Sequence, residues 1–216
     1  MMMSCIMKGF ALAQTQHTNP KRAQFIENSV QIRETFNFAH PEEILTAVQV
    51  HAGHWYGSML WDLYGEKAGQ VFRSWSTCVK LTWGLPRSTH TFLVEGLLAR
   101  NFFTVKQQLV GRYVNFFRAL LSSRSPEVRI VASMAGRCVR STTGNNLSKI
   151  QRETGLDPWV TPAWKVRAAV PRAEVPVSDG WRAQYLTKLI WAKREMKTTL
   201  KDTSDVDDLI DGLCST

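Results

Sequence analysis

The sequence lacks the residue patterns that mark metal sites, disulfide frameworks and nucleotide-binding loops. Its four cysteines lie far apart and form no C-x-x-C pair, which excludes a zinc knuckle and a dense disulfide scaffold. None of the patterns G-x-x-x-x-G-K, G-x-G-x-x-G and G-x-S-x-G occurs. No apolar run approaches the roughly 20 residues that a membrane span needs.

The cysteine usage also indicates a cellular compartment. Scattered cysteines without a secretory signal peptide are typical of a reducing environment, so an intracellular location, in the nucleus or the cytoplasm, is expected. Cys78 and Cys138 each fall on an apolar helical stripe and are predicted to be buried, unreactive thiols.

Carboxylates are nearly absent from the middle of the chain. Residues 67–152 contain 14 Lys and Arg but only two acidic residues, Glu95 and Glu127, so this basic block has a formal charge of about +12. The whole chain carries +9 and has a pI near 9.7. Such an excess indicates a polyanionic partner, with nucleic acid expected before a membrane. A solvated basic surface without a partner is the alternative.

The same scarcity argues against catalysis. Two-metal polymerase or nuclease chemistry needs clustered carboxylates, and the basic block has none. The acidic run Asp205-Val206-Asp207-Asp208 is superficially similar to a polymerase turn but is predicted to be a solvated helix start. His51 and His54 share one helix face without a third ligand nearby, so no metal or cofactor is expected.

Apolar residues recur at a period of 3.6 through most of the chain, and strand patterns are scarce. This periodicity predicts an all-α fold, an irregular helical bundle. The predicted apolar faces are Phe25/Ile32/Phe36, Leu45/Val48/Ala52/Trp55/Met59, Val71/Phe72/Trp75/Cys78/Val79/Trp83, Val105/Leu109/Tyr113/Phe116/Leu120, Val128/Val131/Ala135/Cys138 and Trp181/Tyr185/Leu189/Ala192/Met196. The eight Trp residues are either core or base-stacking platforms, and core is the default.

Composition divides the chain into four parts. Residues 1–18 are predicted to be a ragged N-terminus, and residues 19–156 a helical domain that contains the basic block. Four prolines make residues 157–178 an extended linker or surface arm. Residues 179–216 are predicted to be a C-terminal helical segment, with a long helix capped by Asp179 and a short acidic end.

Residues 79–91, VKLTWGLPRSTHT, form a polar loop between two apolar helical segments. Gly84 occupies the position where a helix end needs a positive φ, and Pro86 prevents the helix from resuming. A cation, a ring and hydroxyls follow, namely Arg87, Ser88, Thr89, His90 and Thr91. Two interpretations are open: a helix stop followed by the cap of the next helix, or a donor-rich loop that holds a phosphate backbone.

A second polar turn raises the same two interpretations. Residues 141–146, STTGNN, follow Arg137 and Arg140. They form either a small anion cradle or a turn in which Asn145 or Asn146 caps a short helix that ends at Gly155.

Several segments, taken in order, resemble a known family. They are KRAQFIENSVQIRETFNFA, YGSMLWDLYG, WSTCVKLTWGLPRSTHT, GRYVNFFRALLSS, RSTTGNNLSKIQRETGLDPW, WRAQYLTKLI and LIDGLC. Their order and spacing are similar to the C-terminal part of the reverse transcriptase of non-LTR (LINE-like) retrotransposons, of the jockey and chicken-repeat type. The likeness covers nearly the whole chain.

The resemblance implies the helical thumb and the region after it, without the catalytic palm. The family's aromatic-x-Asp-Asp turn is absent here, so no catalytic residue carries over, and Mg²⁺ is expected only with the missing palm. The family's thumb packs on the backbone of a template–primer duplex, so the expected partners are an RNA–DNA or DNA duplex and the missing palm.

The residues expected to contact a nucleic-acid backbone follow from the basic block and the polar loop. They are Arg87, Ser88, Thr89, His90, Arg112, Arg118, Arg137 and Arg140. The alternative is a relic helical scaffold or protein-interaction module with no role in nucleic-acid binding.

Overall fold

The computed structural model describes residues 27, 30–32, 35, 43, 46–48, 55, 57–98, 103–172, 180–199 and 202–215. Every regular element in this described part is helical and none is a strand, so the predicted all-α fold is confirmed. The elements are a 3₁₀ turn at Ser58–Leu60 and helices α1 (Glu66–Trp83), α2 (Thr91–Leu98), α3 (Val105–Leu121), α4 (Pro126–Arg137), α5 (Thr142–Thr154), α6 (Ala163–Ala169), α7 (Gly180–Thr198) and α8 (Ser204–Ser215).

Local signals fix several helix ends. Ser125 caps α4 by accepting the Val128 N–H, and Pro126 occupies the first turn of the helix. Gly155 ends α5 in the left-handed region, with a φ of 69°. Thr104 opens α3 through a reciprocal capping box with Gln107.

The chain folds into two compact units, each assembled from distant segments. Unit 1 contains Met1–Pro20, Trp55–Phe72 and Phe103–Pro171, and unit 2 contains Lys21–His54, Arg73–Phe102 and Arg172–Thr216. The division at residues 18, 156 and 178 stays a prediction, because it rests on composition along the chain and not on which distant segments pack together.

Part of the predicted linker is a packed helix. Between Pro162 and Pro171 the chain forms α6, which packs on α3 in unit 1 and buries Ala163, Val166 and Val170. Two prolines with eight residues between them limit the length of a helix but leave room for two turns. The proposed cap Asp179 lies outside the described residues.

A buried asparagine joins two distant segments of unit 1. The Asn146 side chain in α5 is fully buried; its Oδ1 accepts the Leu63 N–H at 3.1 Å. Its Nδ2 donates to the Trp61 carbonyl at 2.7 Å. Both hydrogen bonds are buried, so this one amide satisfies two buried backbone groups.

Helix α4 buries a different face from the predicted one. Val131 is 65% exposed and Cys138 is also exposed, so the predicted stripe through these residues, and the prediction of a buried Cys138 thiol, are wrong. Ala132 and Gly136 are buried instead. A Cβ on Gly136 would lie 2.7 Å from the Phe117 ring, so α4 approaches α3 through its smallest residues.

Unit 2 has its own core, in which α7 packs against α2 and α8. Its buried apolar residues, within the described part, are Ile32, Ala47, Val48, Trp75, Cys78, Val79, Trp83, Leu85, Leu93, Val94, Leu186, Leu189, Ile190, Ile210 and Cys214. Arg182 is buried and donates from its guanidinium to the Leu213 carbonyl, and Lys193 pairs with Asp207. The prediction of a buried Cys78 is confirmed.

The close approach around Gly144 is sensitive to one methyl group. A Cβ at Gly144 would overlap the Cys138 backbone carbonyl, so we expect Gly144→Ala to lower the free energy of unfolding by about 3 kcal/mol or more. Gly212→Ala in α8 is the control, because nothing lies within 4 Å of its Cβ; we expect a gain of about 0.5–1 kcal/mol. Urea denaturation followed by circular dichroism measures both, and equal effects would contradict the packing.

Removal of the Asn146 amide leaves two buried backbone groups without a hydrogen-bond partner. We expect Asn146→Ala to lower the free energy of unfolding by about 2–4 kcal/mol, because the Leu63 N–H and Trp61 carbonyl lose their partner. The neighbouring half-buried Asn145→Ala is the matched control, with a change of less than about 1 kcal/mol expected. The same denaturation curves measure both variants.

Candidate nucleic-acid interface

The basic surplus of the chain belongs to unit 1. By sequence, unit 1 contains 13 Lys and Arg against 5 Asp and Glu, a formal charge of +8. Unit 2 contains 14 against 13, a formal charge of +1. Nearly all of the net +9 is therefore concentrated in one folded unit.

Most of the described cations of unit 1 are exposed to solvent. The exposed ones are Arg112, Arg124, Arg129, Arg137, Arg140, Arg152 and Lys165. Within the described residues none of these seven forms an ion pair. Their charges are therefore available to an external anion.

Two other cations of unit 1 have structural contacts. Lys106 pairs with Glu153, and the Arg167 guanidinium lies 3.9 Å from the centre of the Phe103 ring. Arg167 is half-buried, and its side chain also lies against Gly111. These contacts hold α3, α5 and α6 rather than presenting charge to solvent.

The two predicted contacts on α3 differ in accessibility. Arg112 is exposed, whereas Arg118 is half-buried. Six residues of helix separate them by about 120° around the axis. They therefore do not form one continuous cationic stripe on this helix.

Arg137 and Arg140 flank the turn between α4 and α5, and both are exposed. Ser141 caps α5: its hydroxyl accepts the Gly144 N–H at 2.9 Å and donates to the Ala135 carbonyl at 2.5 Å. The turn-and-cap interpretation is therefore the one observed, although the cap is Ser141 rather than Asn145 or Asn146. Arg140 directly precedes this cap at the positive end of the α5 dipole, whereas Arg137 lies in the last turn of α4.

In unit 2, the polar loop begins with the predicted helix stop. Gly84 has a φ of 68°, its N–H donates to the Leu81 carbonyl, and the Leu85 N–H donates to the Lys80 carbonyl at 2.8 Å. These two bonds are those of a Schellman end, which satisfies the last carbonyls of α1. Lys80 Nζ also donates to the Arg87 carbonyl at 3.2 Å, so a cation steadies the loop.

The four predicted contact residues of this loop separate into two kinds. Arg87, Ser88 and His90 are exposed, and the His90 ring stacks on Phe92 with centres 5.4 Å apart. Thr89 is buried, and its hydroxyl donates to the Pro86 carbonyl at 2.7 Å. Its place in the structure is that of a turn residue.

A polar cluster in unit 1 had no signal in the sequence. Tyr64 Oη donates to Glu153 Oε2 at 2.7 Å, and Lys106 and Lys149 Nζ lie 5.2 and 5.5 Å from the centre of the tyrosine ring. Burial, the hydrogen bond to Glu153 and its negative charge raise the pKa of Tyr64 far above its usual value. Because 89 residues separate the bonded pair, only the folded chain reveals it.

The remaining sequence candidates give a mixed result. Asp205 and Asp207 lie in the first turn of α8, as predicted for an acidic helix start. His51 and His54 lie outside the described residues. In the part of the chain that the structure describes, no three His, Cys, Asp or Glu side chains are placed to hold a metal ion. In that same part, no helix has the length and apolar character to cross a membrane.

The Tyr64 contact makes stability depend on alkaline pH. The unfolded chain releases this phenolic proton near pH 10, whereas the folded chain holds it, so the free energy of unfolding falls as pH rises above about 10. We expect Tyr64→Phe to show a shallower fall than the wild type between about pH 9 and pH 11. Exposed Tyr185→Phe is the control, and a fall identical in all three proteins would contradict the assignment.

Comparison with protein-family models, with curated proteins and with solved structures finds no match to this chain. The function therefore has to be inferred from the residues and from their placement.

Proposed function

We propose that this chain is a non-catalytic part of a retrotransposon reverse transcriptase that binds the backbone of a template–primer duplex through unit 1. The observation that carries the proposal is the charge of +8 on this unit, together with its exposed, unpaired cations in the described segments. The resemblance in segment order to the thumb of non-LTR elements supports the same function.

The chemistry of the proposal is positioning. Arginine and lysine side chains on phosphates release condensed counterions, which gives affinity that depends on salt and little on base sequence. Arg137 and Arg140 are the strongest candidates, because both are exposed at one turn and the N-terminus of α5 adds the positive end of its dipole beside Arg140. Arg112 provides a further exposed cation on α3.

The polar loop of unit 2 is a second candidate contact. Arg87, Ser88 and His90 provide a cation, a hydroxyl and a ring at exposed positions of a loop fixed by its hydrogen bonds. Thr89 contributes by holding the turn. The described residues gather no carboxylate cluster suited to Mg²⁺, so the proposal contains no metal-dependent step.

Salt-dependent binding of an RNA–DNA hybrid tests the proposal. We expect the logarithm of the association constant, measured by fluorescence anisotropy with a hybrid of about 20 base pairs, to fall steeply and linearly with the logarithm of salt concentration. The double variant Arg112→Glu with Arg137→Glu should reduce that slope by roughly 2 and weaken binding at low salt at least about tenfold.

The matched control is Arg73→Glu with Lys188→Glu, which makes the same charge change at two exposed positions of unit 2. We expect a smaller loss from this pair, because unit 2 is nearly neutral. A flat salt response, or equal losses in the two double variants, would contradict the proposal. Unchanged binding in the unit 1 variant would instead favour the helical scaffold or protein-interaction module.

A further inference from the structure

Helix α4 presents large aliphatic side chains to solvent. Ile130, Val131 and Met134 are 60%, 65% and 66% exposed, whereas its packed face consists of Ala132 and Gly136. We call these three residues the α4 apolar face. Clustered exposure of this kind is uncommon on a folded surface and indicates a docking site.

Opposite charges stand at the two ends of this face. Glu127 lies in the first turn of α4 and Arg137 in the last, and both are exposed. By helical geometry these two residues, Ile130 and Met134 project within an arc of about 80°, on the side away from Gly136. Ser125 donates a hydrogen bond to Glu127, which lowers the pKa of this carboxyl and keeps it ionised.

The order Glu127, Ile130, Met134, Arg137 along α4 matches the same order on a second helix that runs in the opposite direction. A two-fold axis level with Ala132 sets Glu127 of one helix opposite Arg137 of the other, and Ile130 opposite Met134. We propose that the α4 apolar face binds the same face of a second copy of this chain, with the two helices antiparallel. A parallel pair would instead bring Glu127 against Glu127 and Arg137 against Arg137.

The remaining charges determine how strong such a dimer is. Arg124 and Arg140 lie beyond the two ends of the face, and each unit 1 carries +8 in total, so two copies repel at long range. One short helix also buries less area than a standard interface. The dimer is therefore weak and becomes stronger as salt screens the repulsion, whereas the proposed nucleic-acid binding becomes weaker.

Sedimentation equilibrium of the full chain, free of nucleic acid, tests the proposal. We expect a reversible monomer–dimer equilibrium below about 500 µM protein, tighter at about 0.3 M salt than at about 0.05 M. Met134→Glu should raise the dissociation constant at least about tenfold, since it places two like charges in the apolar centre. Val160→Glu, at a 71% exposed position elsewhere in unit 1, is the control and should leave it unchanged.

A charge exchange tests the antiparallel pairing itself. Glu127→Arg and Arg137→Glu should each raise the dissociation constant several-fold, and the double variant should return it to within about twofold of the wild type. Circular dichroism checks that every variant folds. A protein that stays monomeric throughout the concentration range, a dimer indifferent to Met134→Glu, or a double variant that is additive rather than restored would each overturn the proposal. These outcomes are independent of whether the chain binds an RNA–DNA hybrid.

Discussion

The contact through which α4 meets Phe117 and Trp159 sets the arrangement of unit 1. The two aromatic rings meet edge to face with centres 4.9 Å apart, and Gly136 fits against both. Any side chain at this position would push the helix away. The requirement for close approach fixes the rotation of α4 about its axis, and the same rotation turns its aliphatic residues toward solvent.

Local signals in the sequence were sufficient to predict much of the helical structure. A glycine in the left-handed region and an apolar period each act within a few residues. Helix α1 therefore ends before Gly84, and α3 spans the predicted apolar period from Val105. The orientation of α4 could not be predicted in the same way. Its aliphatic stripe is the stronger periodic signal, but Gly136 packs against the Phe117 ring, 19 residues earlier in the chain. The periodicity of apolar residues gives no information about such a contact.

The candidate interface shows the same limit. Net charge predicted a basic block, but the assignment of nearly all the surplus to unit 1 needs the tertiary grouping of segments. Sequence alone also treats every cation as equivalent, whereas the folded chain uses Lys106 and Arg167 in internal contacts and leaves Arg137 and Arg140 exposed. Thr89 likewise has a hydroxyl that could bind a phosphate, but in the folded chain it is buried and holds a turn.

The exposure of Cys138 has a practical consequence for thiol chemistry. Among the described cysteines, Cys78 and Cys214 are buried and Cys138 is not. Burial also raises the pKa of the Cys214 thiol, which keeps it protonated and unreactive at neutral pH. Of these three described cysteines, an alkylating dye therefore labels Cys138 before either buried site, which places a reporter group in the turn between Arg137 and Arg140.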